Sequence, residues 1–442
     1  MAAPSRASVE SLVLYHTLLD TSPGKAMADF LTAMPRGGER VRTAYLGLVR
    51  TLYALEPVAG PTGDAWQDYL LHHVLRAENA FTRAAAAGAV PAPLREAAAW
   101  DLRILRELFA FSGPRCRALA GEWPEGGLPT WSGVRETSPD ANHPARSGRL
   151  STPAGPFLAP AFREMARRLA GADDWAAMVD ELAGFHRTHG CGVVACSWFL
   201  TWDGERLQVV DQPDLVDLDD LAGLVEQKAA VRENTEAFLR GGAGQNLLLY
   251  GPRGTGKSSL VRAMAPRYGE SGLRLLEVGR DKLGSLGELY RIVRRHPQRF
   301  ILFLDDLTFE ADDADYRAFK SLLEGALERR PPNLLLYVTS NRRHMVPERW
   351  ADRSSPEEAE VHGQDALEER LSLADRFGRT ILFLRPDQDE YLAIVEHLAA
   401  RRGLPIGREE LRDAARRWAL WQNGLSGRAA RQFVDELEAK RK

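Results

Sequence analysis

The chain has few cysteines and almost no net charge, and each of these properties excludes some classes of protein. Its 442 residues include only three cysteines, Cys116, Cys191 and Cys196. An odd and sparse set of this kind does not form a disulfide framework, so we predict a reducing compartment. The formal net charge is −3, and this balance indicates neither a nucleic-acid-binding protein nor one that binds a membrane surface.

Long apolar runs are absent as well. No segment reaches the ~18 apolar residues that a membrane helix needs. The first residues, Met1 to Arg6, are not followed by the apolar stretch of a secretion signal. We therefore expect a cytoplasmic protein with no membrane partner. The chain contains 44% hydrophobic residues, which is enough to form hydrophobic cores. Its length indicates two or three domains.

A glycine-rich loop is the most informative segment. Gly251-Pro-Arg-Gly-Thr-Gly-Lys257-Ser258 follows the apolar run 246–250 and leads into a helical pattern. In this setting backbone N–H groups surround phosphate oxygens, and the helix directs its positive end at the same anion. Lys257 would reach the β- and γ-phosphates, and the Ser258 hydroxyl would ligate Mg²⁺. The candidate nucleotide-binding residues of this segment are Gly251, Pro252, Arg253, Gly254, Thr255, Gly256, Lys257, Ser258 and Ser259.

Two carboxylates directly follow the apolar run 300–304. Asp305 would hold the hydration shell of Mg²⁺, and Asp306 would orient or deprotonate an attacking water. Glu310 is a second candidate for the base. The plain alternative is that the Asp-Asp pair only caps the end of a strand.

Asn341 and Arg376 are further candidate catalytic residues. Asn341 follows the apolar run 334–339, where its amide could position the attacking water, although asparagine also starts turns through its own side chain. Arg376 could project into the site of a neighbouring subunit and neutralise charge on the transferred phosphoryl group. Arg370 competes for that role, and a surface salt bridge from Arg376 to Asp375 is the alternative.

Arg428 lies near the start of the last predicted helix. A cation is out of place there, because the amino end of a helix favours anions. The conflict disappears if the partner of Arg428 is a triphosphate. Arg431, one turn further on, is the other candidate, and a solvated arginine is the plain interpretation.

Composition divides the chain into five predicted regions. Short apolar runs at 247–250, 273–278, 300–304, 334–339 and 380–384 alternate with helical patterns, which predicts parallel strands joined by crossovers. The predicted regions are a helical N-terminal domain (1–121), a Pro/Gly/Ser-rich linker (122–160), a helix with a β-hairpin around Asp203-Gly204 (161–216), an α/β nucleotide-binding core (217–385) and a helical lid (386–442).

With these motifs in this order, the chain resembles the AAA+ ATPases. Its glycine-rich loop corresponds to their Walker A motif and Asp305-Asp306 to their Walker B motif. Asn341 lies at the sensor-1 place, Arg376 at the arginine-finger place and Arg428 at the sensor-2 place. Asp306 stands where most members carry glutamate, which raises the question of how fast the site hydrolyses ATP.

From about Gly190 to Phe433 the chain is similar to an uncharacterised bacterial AAA+ family, the domain of unknown function numbered eight hundred and fifteen. The strings that carry this resemblance are 231–238, 248–259, 305–310, 339–344, 371–378 and 426–433. It implies an α/β fold, a P-loop NTPase αβα sandwich with a five-stranded parallel sheet and a C-terminal helical lid. The N-terminal part would be mainly helical with a small β-hairpin. The sensor-1 strand would lie between the two Walker strands.

The resemblance also implies ATP and Mg²⁺ as cofactors and a homo-oligomer whose sites form between subunits. We therefore predict an ATP hydrolase that remodels or loads a protein or nucleic-acid client. A second hypothesis is a nucleotide-gated assembly scaffold that binds ATP with little turnover. A small-molecule kinase finds little support, since no acceptor pocket is evident from the sequence.

Overall fold

The computed structural model describes residues 6–55, 60–121, 127–131, 158–308, 319, 330–341, 376–421 and 424–440. Helices dominate the first part, and strands and helices alternate in the second. None of the described helices is long and apolar enough to cross a bilayer. The α-helices are α1 Arg6–Glu10, α2 Ser22–Ala33, α3 Gly38–Tyr53, α4 Ala65–Leu75, α5 Ala80–Ala86, α6 Ala92–Phe109, α7 Gly113–Ala120, α8 Pro160–Gly171, α9 Val179–His189, α10 Val193–Cys196, α11 Val225–Leu239, α12 Lys257–Tyr268, α13 Leu286–Val293, α14 Gln388–Arg401, α15 Arg408–Trp421 and α16 Gly427–Ala439.

A single sheet of seven strands, within the described residues, organises the second part. Its order is β2-β1-β4-β5-β6-β3-β7. Every neighbouring pair is parallel except β1 and β2. The strands are β1 Phe199–Trp202, β2 Leu207–Val209, β3 Leu247–Tyr250, β4 Leu273–Val278, β5 Arg299–Leu304, β6 Leu334–Ser340 and β7 Arg379–Leu382.

The five predicted strands are therefore confirmed, and β6 lies between β3 and β5 as expected. This is the P-loop NTPase fold. The sheet is larger than predicted because the hairpin is part of it: β1 pairs in parallel with β4, from Phe199–Leu275 to Trp202–Val278. The apolar run 192–201 that precedes Asp203-Gly204 is only partly strand, since Val193–Cys196 is a helical turn and β1 starts at Phe199. Pairing with the hairpin satisfies backbone groups that an open edge of β4 would expose.

The two faces of the sheet bury different cores. One face, with Leu247, Leu249 and Ile301, packs with α11, α12 and buried side chains of the N-terminal helices. The other, with Leu248 and Phe300, is covered by α13. The helices α14, α15 and α16 form a third, separate core. The sheet is thus enclosed on both sides, which explains why its central strands are continuous apolar runs.

Arg274 on β4 fastens the N-terminal part to the sheet. Its side chain is fully buried and donates to the carbonyls of Val194, His189 and Gly269, at 2.7, 3.1 and 3.0 Å. Burial lowers the pKa of this guanidinium to about 10. Carbonyl oxygens from three segments thus replace the water that the charge has lost.

Gly269, directly after α12, lies beneath Trp198 at the same junction. A Cβ at Gly269 would come within 2.3 Å of the indole ring. We expect Gly269→Ala to lower the free energy of unfolding by about 1–3 kcal/mol, the usual cost of overpacking. Urea unfolding measures this, with Gly284→Ala as the matched control, because a Cβ there meets nothing within 4 Å. Equal stability of the two variants would contradict the packing described here.

Candidate functional site

The glycine-rich loop leaves β3 through a backbone conformation that only glycine adopts easily. Gly251 has φ +143°, and a Cβ there would lie 2.0 Å from the carbonyl oxygen of Phe383. Its N–H donates to the Ser340 carbonyl at 3.2 Å, so the start of the loop is held between the ends of β6 and β7. Gly254 and Gly256 are left-handed, with φ +78° and +96°. The loop then enters α12 at Lys257, with Ser258 and Ser259 in its first turn.

Lys257 is turned into the loop. Its side chain is largely buried, and Nζ donates to the carbonyls of Gly251 and Pro252 at 2.7 and 2.8 Å and to Asn341 Oδ1 at 3.2 Å. Burial lowers the pKa of the ammonium group, while the Asp306 and Asp305 carboxylates oppose that shift. The positive charge is therefore held where the loop, β5 and β6 converge.

Asp305 receives hydrogen bonds on both oxygens. Ser258 Oγ donates to Oδ1 at 2.5 Å, and Thr339 Oγ1 donates to the same oxygen at 2.6 Å. Arg262 donates to Oδ2 at 2.9 Å. The Arg262 guanidinium also lies 3.4 Å from Glu277 Oε1. The two predicted metal ligands, Ser258 and Asp305, thus face each other directly.

Asp306 adopts a left-handed backbone with φ +51°, and among the described residues no other non-glycine residue has a positive φ. Its N–H donates to Thr339 Oγ1 at 2.8 Å. Asn341 Nδ2 donates to its carboxylate, and the Arg253 guanidinium lies 3.6 Å from Oδ2. The predicted base and the predicted water-positioning amide are therefore in direct contact.

The first turn of α16 contacts the loop. The N–H of Arg428 donates to the Gly254 carbonyl at 3.2 Å, and a Cβ at Gly254 would meet Ser426 Oγ at 3.1 Å. The Arg428 side chain is exposed, yet its charge acts on Lys257, whose pKa it helps to lower. Thr255 completes the inner side of the loop by donating to the Pro252 carbonyl at 2.9 Å.

Arg376 lies away from this group. It precedes β7, which pairs in parallel with β3 from Arg379–Leu247 to Leu382–Tyr250. Lys257 lies beyond the carboxyl end of β3, whereas Arg376 precedes the amino end of β7, so the two residues lie at opposite edges of the sheet. Arg376 is exposed, whereas the neighbouring Phe377 is buried. The structure therefore brings Lys257, Ser258, Asp305, Asp306, Asn341 and Arg428 together and leaves Arg376 apart.

Several sequence candidates lie outside the described residues. They are Glu310, Arg370, Asp375, the end of the string 339–344 and the greater part of the string 371–378.

Comparison with known families decides the membership of this chain. A family model described as "Protein of unknown function (DUF815)" matches residues 193–441, which is more than half of the 442 residues. The chain belongs to the DUF815 family. The glycine-rich loop, Asp305-Asp306, Asn341 and Arg428 all lie within the matched span, whereas α1 to α9 precede it.

Curated relatives confirm the resemblance of this DUF815 chain to the AAA+ ATPases. Spastin from Bos taurus is 27% identical over 247 residues, 50% of this chain and 35% of that protein. AAA-ATPase At2g18193 from Arabidopsis thaliana is 36% identical over 101 residues, 23% of this chain and 19% of that protein. The chain thus spans about a third or less of the length of these relatives.

A solved structure is also similar, at a greater distance. The RuvB Holliday junction branch migration motor of Thermotoga maritima matches with a TM-score of 0.30 and 15% identity. The match covers 50% of this chain and 72% of that one.

Sequence reasoning missed two residues of the site in this DUF815 chain. Arg262 follows Ser258 by one helical turn, so the two side chains share a face of α12. Thr339 is the next-to-last residue of β6 and Asn341 directly follows the strand, so the two have the two-residue spacing that places side chains on one side of a strand. These spacings were visible in the sequence, but their contacts with Asp305 depend on the pairing of β5 with β6.

The segment before α11 was also missed as part of the site. A Cβ at Gly256 would meet Leu224 Cδ1 at 3.0 Å, and a Cβ at Gly223 would meet Ile394 of α14 at 3.8 Å. This segment therefore lies between the glycine-rich loop and the lid helices. Its ends are held by Gln227, which donates to the Leu382 carbonyl, and by Arg401, which pairs with Asp217.

Proposed function

We propose that this protein is an AAA+ ATPase that hydrolyses ATP with Mg²⁺ and uses the energy to remodel or load a macromolecular partner. The observation that carries the proposal is the convergence of one ammonium, one hydroxyl, two carboxylates and one amide at the carboxyl ends of β3, β5 and β6. In parallel sheets this edge is where ligands bind.

The residues fit a magnesium–triphosphate complex in both shape and donor chemistry. Left-handed glycines leave the backbone of the loop open to an anion, and the start of α12 adds its positive end. Ser258 and Asp305 offer the oxygen ligands that Mg²⁺ prefers. When bound, the ion would neutralise charge on the phosphates. Lys257 would bind phosphate oxygens, and Leu224 and Ile394 offer apolar contacts between the loop and the lid.

Asp306 and Asn341 would act on the attacking water. Asn341 joins the Asp306 carboxylate to the Lys257 ammonium through its two amide atoms. An amide in that position can orient a water beside the carboxylate, which then accepts its proton. The left-handed backbone at Asp306 suits this role, because strained conformations often occur at working positions.

Arg376 would act in a neighbouring subunit. It lies at the other edge of the sheet from Lys257, and its side chain is exposed, so we place it at a surface that another copy of the chain would contact. The arginine of one subunit would then neutralise negative charge on the phosphoryl group of the ATP bound by its neighbour. This arrangement requires a homo-oligomer, which the proposal includes.

A nucleotide-gated scaffold with little turnover is the second candidate. One observation favours it: the Asp306 carboxylate already contacts two partners, Arg253 at 3.6 Å and the Asn341 amide, and it would have to exchange one of them for the attacking water. In that case ATP would hold the lid against the core and the oligomer together, and phosphate release would be slow.

Phosphate release by the purified chain separates the two candidates. We expect Mg²⁺-dependent release by the wild type, reduced on the order of 10²–10⁴-fold in Asp306→Asn. ATP binding by that variant should persist, because Asn keeps the size of the side chain. Asp281→Asn, at an exposed aspartate, serves as the control. Tight binding of ATP with no turnover in any variant would favour the scaffold. Asp306→Asn should also retain the client in a pull-down.

A further inference from the structure

Among the described residues, the Thr339 side chain contacts both acidic residues of the site, Asp305 and Asp306. It lies on β6 and is 1% exposed. Its hydroxyl donates to Asp305 Oδ1 at 2.6 Å and accepts from the N–H of Asp306 at 2.8 Å. A hydroxyl has one proton to donate and lone pairs to accept, so a single group satisfies both contacts.

The two contacts act on different parts of the acidic pair. The bond to Asp305 orients a side chain, namely the carboxylate that faces Ser258. The bond from Asp306 holds a main-chain N–H, and with it the left-handed backbone at φ +51°. A non-glycine residue persists in that conformation only where its surroundings fix it. The direction of the Asp306 carboxylate toward Asn341 thus depends on the conformation that Thr339 holds.

We propose that Thr339 is a positioning residue for ATP hydrolysis, which sets the Asp305 carboxylate for Mg²⁺ and the Asp306 carboxylate for the attacking water. The inference rests on the proposed ATPase function and deepens it. In this proposal the two aspartates that follow β5 are oriented by a side chain of the neighbouring strand β6.

The neighbouring residue on β6, Ser340, also carries a buried hydroxyl, but it contacts a different part of the chain. The Leu307 N–H donates to the Thr339 carbonyl at 2.8 Å, and Ser340 Oγ donates to the Leu307 carbonyl, also at 2.8 Å. The Ser340 side chain is likewise fully buried. Its hydroxyl holds the chain beyond the acidic pair, whereas that of Thr339 holds the pair itself. Ser340→Ala is therefore the matched control for the loss of one buried hydroxyl on β6.

The test compares Thr339→Val, which keeps the shape of the side chain and removes the hydroxyl, with Thr339→Ser, which keeps the hydroxyl. For Thr339→Val we expect kcat for phosphate release to fall at least about tenfold while KM for ATP changes less than about threefold. The Mg²⁺ concentration that half-saturates binding of a fluorescent ATP analogue should rise several-fold. Thr339→Ser should restore most of both, and Ser340→Ala should stay within about twofold of the wild type.

Thermal unfolding of each variant separates positioning from folding. If Thr339→Val lowers kcat and Mg²⁺ affinity no more than Ser340→Ala does, or only in proportion to the folded fraction, the positioning role is wrong. Failure of the wild type to bind the analogue would instead overturn the ATPase proposal itself. If the wild type binds the analogue but does not hydrolyse ATP, the Mg²⁺ titration is the deciding measurement. An unchanged half-saturating Mg²⁺ concentration in Thr339→Val would then overturn the inference.

Discussion

Lys257→Met is expected to weaken ATP binding at least about tenfold and to lower phosphate release on the order of 10²–10⁴-fold. The methionine side chain keeps the unbranched stem and removes the ammonium group. Lys257 now donates to two loop carbonyls and to Asn341, and the same group would bind phosphate oxygens. Each charge-assisted hydrogen bond lost costs about 1.5–3 kcal/mol, so the loss of two bonds to phosphate oxygens costs about 3–6 kcal/mol and accounts for the range given.

Binding of a fluorescent ATP analogue and phosphate release together check this expectation. Lys282→Met is the matched control, since that lysine pairs with Asp281 near the surface. Thermal unfolding should show Lys257→Met folded, because the buried carbonyls that lose a donor belong to a loop held by backbone contacts at both ends. An affinity within about threefold of the wild type would show that the loop does not bind the triphosphate.

The second large effect is expected for Arg376→Ala, with a loss of phosphate release of about 10³–10⁵-fold, the range of known arginine fingers. ATP binding should change little, since Arg376 and Lys257 of one subunit lie at opposite edges of the sheet. Arg379→Ala is the control: Arg379 lies three residues further on and pairs with Glu233 at 3.7 Å. Equal activity of Arg376→Ala and Arg379→Ala would show that Arg376 is not the arginine finger, and Arg370 would then be the candidate to test.

Mixing two inactive variants tests whether the arginine acts between subunits. Arg376→Ala keeps an intact loop, and Lys257→Met keeps an intact arginine. In a random equimolar oligomer about a quarter of the interfaces would join these two intact halves. Phosphate release should therefore reappear in the mixture. A mixture as inactive as its parts, although co-assembled by size-exclusion chromatography, would contradict action in trans.

Much of the fold could be predicted because buried parallel strands leave a plain signal. The predicted run 273–278 is β4 as observed, and the other four predicted strands begin within one residue of the observed ones. Apolar residues on both faces make such strands stand out between polar turns. The glycine-rich loop was equally clear, since its spacing has few alternatives.

What could not be predicted depends on neighbours distant in the sequence. Nothing local indicates that the hairpin pairs with β4, because its partner lies more than seventy residues away. The contacts of Thr339 follow from the register that sets Leu304 beside Val338, and a register is a property of two strands. The candidate roles of Asp306, Asn341, Arg376 and Arg428 stay predictions, as do the domain boundaries.

The continuous core that joins the N-terminal helices to one face of the sheet bears on how the family should be studied. Residues from Val9 to Phe383 contribute to it, whereas the family match starts at residue 193. Excising the matched span would strip the covering from an apolar surface and invite aggregation. The part of the chain that matches the family therefore shares its apolar core with the helices that precede it, and we expect a fragment cut at the family boundary to be less stable than the full chain.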